Sequence, residues 1–248
     1  MSEKKNIRLV IVYDGSRYCG WQRQKNDPSI QALIEHKIQL MTGEPVTLHA
    51  SGRTDSGVHA LHQVCHFISH TRLDPDSIRK GLNSLLPDDI FIQGTEDVPL
   101  DFHARYSAKR KTYEYRILNR RQPDIFRRRY LWHVSAPLDI GIMEKCVSLL
   151  IGTHDFSAFR SSSSGNTNPV REMHVATLKG QKEGVLRFIF EADGFLRHMV
   201  RNIVGTAVEV GLGKRDLKEF QNILKSKDRK KAGMKAPPQG LFLTMVHY

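Results

Sequence analysis

The sequence predicts an α+β fold made of two related halves. Three observations predict it: strand-like runs alternate with runs of helical period, the links between them suit antiparallel neighbours, and a strand-plus-turn pattern near the start returns in the second half. A doubly wound parallel sheet fits this alternation less well.

Taken in order, residues 7–13, IRLVIVY, form a β-branched run stopped by Asp14-Gly15. Residues 29–42, SIQALIEHKIQLMT, carry Ile30, Leu33, Ile34, Ile38 and Met41 at helical spacing, with Ser29 as N-cap and Gly43 as stop. VTLHASGRTD reads as a strand entering a loop, HQVCHFISH as an alternating strand, and DPDSIRKGLNSLL as a helix with an acidic first turn. IFIQGTEDVP is a further strand. A helix is expected around DIGIMEKCVSLLIG, then a polar loop, RSSSSGNTNP (160–169), expected to be mobile. LRFIFEADG (186–194) echoes IRLVIVYDG (7–15), and the following FLRHMVRNIVGTAVEVGLG is helical in pattern. KSKDRKKAGMKAPPQG (225–240) reads as a basic, Pro/Gly-broken loop, and LFLTMVHY as a closing strand. Two related lobes imply a cleft between them, a common place for a site. We place the boundary after residue 106. The first lobe is 1–106; the second is 107–248, with basic connecting strands at 107–135 and a core from about 140.

The chain has 248 residues, 40% hydrophobic and 26% charged, as for a globular protein with a real core. It has no apolar run long enough for a transmembrane helix. The opening MSEKKNIRLVIVYDG lacks the apolar stretch and cleavage site of a secretory signal. Cys19, Cys65 and Cys146 lie far apart with no CxxC pair, which argues against a disulfide framework and suits a reducing cytoplasm. Lys and Arg number 38 against 26 Asp and Glu, a net charge of +12 that favours a polyanionic partner, nucleic acid before membrane.

The excess is clustered. From His103 to Tyr130 the chain reads HARYSAKRKTYEYRILNRRQPDIFRRRY, with Tyr106, Tyr113, Tyr115, Phe126 and Tyr130 among the basic residues. Cations neutralise phosphates and aromatic faces stack on unpaired bases, so the stretch suits RNA, with Arg110, Lys111, Arg127, Arg128 and Arg129 as candidate contacts. The plainer alternative is a solvated strand pair whose tyrosines pack inward.

Of the histidines, His59, His62, His66 and His70 invite a zinc site, but a strand would scatter them and no carboxylate or cysteine completes a metal pattern. No acyl-transfer motif, phosphate-cradling glycine loop or carboxylate pair for glycoside hydrolysis is present. SGRTDSGVHA (51–60) stands out: one carboxylate, Asp55, between Gly52 and Gly57, with Arg53 two residues before it. A carboxylate can attack a sugar covalently, and a neighbouring guanidinium keeps such a group ionised and oriented. It can equally cap an Asx-turn. Residue chemistry alone leaves both readings open.

The motifs resemble a known family. GRTDSGVHALHQVCHF is similar to the signature of the bacterial-type tRNA pseudouridine synthase A family, with Ser56 where alanine is usual. YDGSRYCGWQRQ (13–24), FHARYSAKRKTYEYRI (102–117), DFSAFR (155–160), GFLRHMVRNIVG (194–205) and APPQGLFL (236–243) resemble further family motifs, in order over nearly the whole chain.

The resemblance implies a cofactor-free and metal-free isomerase that converts uridine to pseudouridine in the anticodon stem-loop of tRNA, at tRNA positions 38, 39 and 40. It implies a cytoplasmic homodimer of two pseudo-symmetric lobes. These share a continuous antiparallel sheet, with helices on one side and a basic cleft. Asp55 falls on the family's nucleophile and Arg201 on the arginine that pairs with it, making these two the catalytic pair. Tyr113 falls on the tyrosine that packs against the target uracil, and Arg53 on the nucleophile's neighbour. Arg53 and Arg201 would divide two tasks, orienting the carboxylate and holding the nucleotide, with Arg201 on the carboxylate. Two other classes compete: an RNA-binding protein without catalysis, and a nucleoside glycosidase, which would need a second carboxylate.

Overall fold

The computed structural model describes residues 3–24, 27–161, 168–180 and 182–248. Among them are ten strands and five α-helices, an α+β protein with mixed strand pairing. The chain divides into two compact units, Met1–Lys109 with Leu243–Tyr248, and Arg110–Phe242. The units thus part three residues after the boundary read from sequence, and the last six residues group with the first.

In the first unit, β1 (Lys5–Tyr13) lies between β4 (Ile90–Val98) and β3 (His59–Ser69), antiparallel to both. The short β2 (His49–Ala50) pairs with β3, and the closing strand β10 (Leu241–His247) neighbours β3. The alternation of β1 puts Ile7, Leu9, Ile11 and Tyr13 on the buried face. Only His49–Ala50 of the expected VTLHASGRTD strand is strand. Helix α1 (Ile30–Thr42) starts and stops where its sequence signals predict, ending on Gly43 at φ 74°, although the Ser29 hydroxyl makes no capping bond. Helix α2 (Pro75–Leu85) is capped by Asp74, whose carboxylate accepts from the Ser77 N–H.

In the second unit, β5 (Arg110–Asn119), β9 (Val185–Ala192), β8 (Val170–Gly180) and β7 (Gly152–Asp155) follow one another, all antiparallel. The strand β6 (Trp132–Val134) pairs parallel with β5. This corrects the expectation of a purely antiparallel sheet: the stretch 120–131 is long enough for the crossover a parallel pair requires. Helix α3 (Ile140–Ser148) begins on Asp139, which caps the Ile142 N–H. Helix α4 (Met199–Gly211) is buried at every position but Glu209, its apolar residues in the core and its polar Asn202 and Thr206 bonded within the protein. Helix α5 (Leu217–Ser226) opens with a capping box between Asp216 and Glu219. The core of this unit combines Tyr115, Ile117, Phe188 and Phe190 from the strands with Ile203, Val204 and Ala207 of α4. Of the loop 160–169 expected to be mobile, residues 162–167 lie outside the described residues.

Candidate active site

The turn that carries Asp55 is built by its neighbours. The Asp55 carbonyl accepts from the Val58 N–H at 3.2 Å, and Gly57 sits third in this four-residue turn at φ 74°, a position that favours glycine. A backbone hydrogen bond closes the turn. Asp55 is half-buried and Arg53 exposed.

The first motif, YDGSRYCGW, holds this turn from one side. The Tyr18 carbonyl accepts from the Gly57 N–H at 3.4 Å and the Ser56 hydroxyl at 3.2 Å, and the Trp21 N–H reaches the Thr54 carbonyl at 3.1 Å. Close approach explains two glycines: a Cβ on Gly15 would lie 2.0 Å from the Val58 carbonyl oxygen, and one on Gly20 2.6 Å from that of Thr54. The register of β1 against β3 also slips between Ile11 and Tyr13, a bulge of the kind that re-aims side chains beside a site.

From beneath, Gln63 clamps the turn. It is fully buried; its Nε2 donates to the Gly52 carbonyl at 2.9 Å, while its Oε1 accepts from the Ser51 hydroxyl at 2.8 Å. Nε2 also lies 3.4 Å from the Tyr13 hydroxyl, which shares a 2.7 Å hydrogen bond with Thr54. Burial pushes the Tyr13 hydroxyl up to about 12, so it stays protonated and serves as a neutral hydrogen-bonding post. Gln63, Tyr13 and Thr54 were not singled out from the sequence, though all three fall inside the quoted motifs.

The second unit carries the other named residues. Tyr113 lies on β5 opposite Phe190, largely buried, with its ring edge-to-face with Phe195 at 4.9 Å. Arg201 sits in the first turn of α4, 7% exposed, and its Nε donates to the Ala236 carbonyl at 2.8 Å. The Ala236 N–H returns a bond to the Arg201 carbonyl at 3.0 Å. Next to it Tyr115 donates to the Pro237 carbonyl at 2.7 Å; burial raises its hydroxyl far above the ordinary range, and the Arg201 charge opposes this. The segment read as a basic loop is fastened along α4. Arg229 donates to Asn202, the Gly233 N–H to the Thr206 hydroxyl and the Met234 N–H to Glu209. Arg201 is therefore fixed by secondary structure on one side and a docked loop on the other.

The basic stretch divides. Arg110 pairs with Glu191 at 2.8 Å, and Lys111 is half-buried on β5. Arg127 is held by Asp124 and Glu183, both at 2.7 Å, whereas Arg128 and Arg129 are exposed. Tyr113 and Tyr115 do pack inward, but Tyr106 is 77% and Phe126 94% exposed. Arg116, Arg127, Tyr130, Lys182, Arg187 and Phe242 are among the residues lining a hollow of about 900 Å³.

Among the described residues no group of three or more His, Cys, Asp or Glu is arranged for a metal ion, and no helix is long and apolar enough to cross a membrane. The histidines do cluster, though in another set: the His66 ring lies 5.1 Å from His49 and 4.7 Å from His103. The His66 Nδ1 accepts from the Ala104 N–H at 3.1 Å. Burial, with two imidazole neighbours, pushes His66 down to about 4, so it is neutral near pH 7.

A family profile described as tRNA pseudouridine synthase matches residues 9–107 and 146–248. The chain is similar to tRNA pseudouridine synthase A of a Thermoanaerobacter species, 49% identical over 244 residues that span 98% of this chain and all of that protein. It is 46% identical to the protein of that name from Acetivibrio thermocellus, again over 98% of this chain and all of the relative. With the one from Myxococcus xanthus it shares 42% over 98% of this chain and 91% of the relative. These matches put the chain among the pseudouridine synthases, isomerases that keep every atom of uridine and change only the ring atom that bears the ribose. More narrowly, it belongs to the tRNA pseudouridine synthase family.

Proposed function

We propose that the enzyme isomerises uridine to pseudouridine in the anticodon stem-loop of tRNA, at tRNA positions 38, 39 and 40, with Asp55 as its nucleophile. The single observation that carries the assignment of Asp55 is the construction of its turn. Backbone, two close-approach glycines and a buried glutamine all hold its shape, which is what presenting a reactive carboxylate requires.

In this reading the target base leaves the stack, because its glycosidic bond is out of reach inside a helix, and Tyr113 replaces the lost stacking partner. Asp55 attacks the nucleotide, at ribose C1′ or at C6 of the ring. The C1′–N1 bond breaks, the uracil turns, and a C1′–C5 bond forms. The C5 proton then departs to a base, for which the Tyr113 hydroxyl is a candidate, N1 takes up a proton, and Asp55 is regenerated. Nothing is oxidised or reduced, so no cofactor is required. Arg201 is a positioning residue for the carboxylate, and Arg53 holds the nucleotide. Arg110, Lys111 and the arginines at 127–129 contribute to RNA binding.

We also read the two units as lobes of related plan. Strands β1 and β9, the two that share the Asp-Gly echo, are both flanked by strands within their own units, each is followed by a 13-residue helix, and the family profile matches in two separate segments. A homodimer is inferred from the family resemblance. A cytoplasmic location suits its tRNA substrate and three unpaired cysteines.

The test is Asp55→Asn on unmodified tRNA transcripts. We expect pseudouridine formation to vanish at all three positions while tRNA affinity stays within severalfold. Pseudouridine formed by the variant would remove Asp55 as the nucleophile. Modification mapped elsewhere would correct the site.

A further inference from the structure

The turn between β5 and β6 has no role in the reading above beyond its charge. It lies in the stretch 108–145 that the family profile leaves unmatched. Residues 120–130 read RRQPDIFRRRY, five arginines against the single Asp124. At its tip Phe126 is 94% exposed, with Ile125 beside it at 59%. An apolar pair set in water inside so charged a segment marks a contact surface.

The tip is braced rather than loose. Asp124 Oδ1 accepts from the backbone N–H groups of Phe126 at 3.1 Å and Arg127 at 2.9 Å, while its Oδ2 holds Arg127 Nε at 2.7 Å. Arg127 reaches on to Glu183, Arg128 donates to the Ile125 carbonyl at 3.0 Å, and the Tyr130 N–H closes on the Arg127 carbonyl at 2.8 Å. An aromatic ring presented on a preorganised turn loses little entropy when it binds.

Charge decides what it fits. The adjoining hollow is nearly neutral: Arg116 and Arg187 share Glu114, and Arg127 faces both Asp124 and Glu183, leaving Lys182 as the surplus cation. On the turn itself five arginines meet Asp124 and, through Arg127, Glu183, so cations remain in excess. An aromatic flanked by surplus cations matches an unpaired base between two phosphates.

We propose that Phe126 is a stacking residue for tRNA. An unpaired base lies on its ring, Arg128 and Arg129 neutralise the neighbouring phosphates, and Arg127, held by carboxylates, positions the turn. This rests on tRNA being the substrate.

The experiment compares full-length wild type with Phe126→Tyr, Phe126→Leu and Phe126→Ala. Each is assayed for affinity for an unmodified tRNA transcript over a salt series, pseudouridine formation, melting temperature and mass in solution. Stacking predicts that Tyr binds within about twofold of wild type. Leu and Ala should both weaken binding about tenfold or more, with melting unchanged. The slope of log affinity against log salt should stay constant across the Phe126 series and fall by about one in Arg128→Gln. Wild-type affinity in the Ala variant sinks the proposal, and so does retained affinity in Leu. A smaller mass in solution for Ala would make Phe126 a contact between copies instead. A wild-type protein that neither binds nor modifies tRNA defeats the functional reading itself, an outcome distinct from those.

Discussion

Gln63 has no solvent contact, and a buried amide must find its hydrogen bonds inside the protein. It finds them in Ser51 and Gly52, the two residues that lead into the Asp55 turn. Gln63→Leu should cost about 1–3 kcal/mol, because the Ser51 hydroxyl and Gly52 carbonyl lose their partner. Urea unfolding measures that cost. Pseudouridine formation should fall further than tRNA affinity, since the turn and not the binding surface is disturbed; equal losses would place Gln63 in binding. Tyr113→Phe keeps the ring and its contact with Phe195 but removes the hydroxyl. Activity retained in single turnover would leave Tyr113 a stacking platform, while a large loss with unchanged affinity would make the hydroxyl the proton acceptor. Arg201→Lys keeps the charge but loses the Nε bond to Ala236 and the planar fork. We expect kcat to drop with little change in KM, and the reverse pattern would mean that Arg201 holds substrate. Asp55, Arg53, Tyr113 and Arg201 could all be named from motif resemblance. Gln63 could not be singled out by chemistry, because a glutamine in a strand reveals nothing about what lies above it until the strand is placed.

Helix α4 and the segment 229–237 form one construction, in which an irregular segment becomes rigid by borrowing a helix. Asn202, Thr206 and Glu209 recur at helical spacing and bond the segment along its length. At Gly205 a Cβ would lie 1.9 Å from the Met234 carbonyl oxygen. Gly205→Ala should therefore push the segment away at a cost of about 1–3 kcal/mol. Thermal melting would report it, and undiminished activity would show that the Ala236 anchor of Arg201 is dispensable. α1, α2 and α3 were legible from period and caps because those signals are local. α5 carried an equally local signal in its Asp216–Glu219 box. Strand β8 was not expected: its buried positions, Met173, Ala176 and Leu178, break the strict two-residue alternation. The register slip in its pairing with β9 between Met173 and Val175 accounts for the break, and a slip belongs to the pair of strands.

At the scale of the molecule, a histidine cluster gives acid sensitivity. His66 holds its proton only below about pH 4 when folded, against an ordinary value of 6.5. Between those values the unfolded chain binds a proton that the folded one refuses, so stability falls as pH drops from about 6.5 to about 4. Denaturant melts across that range should show the decline, and His66→Asn, whose carbonyl can replace the Nδ1 acceptor for Ala104, should flatten it. An unaltered slope in the variant would assign the sensitivity elsewhere.

The sequence by itself determined the α+β class, most element positions, the basic character and the family, because period, caps, composition and motif order are properties of the chain read locally. Only the tertiary structure decided that Gln63 and the first motif build the Asp55 turn, that Arg127 is committed to carboxylates while Phe126 stands in water, that β6 runs parallel to β5, and that the loop after α5 is fastened to α4. Each of these depends on which distant residues meet. Local pattern does not encode that distance, and packing and hydrogen-bond satisfaction settle it only once the chain has folded.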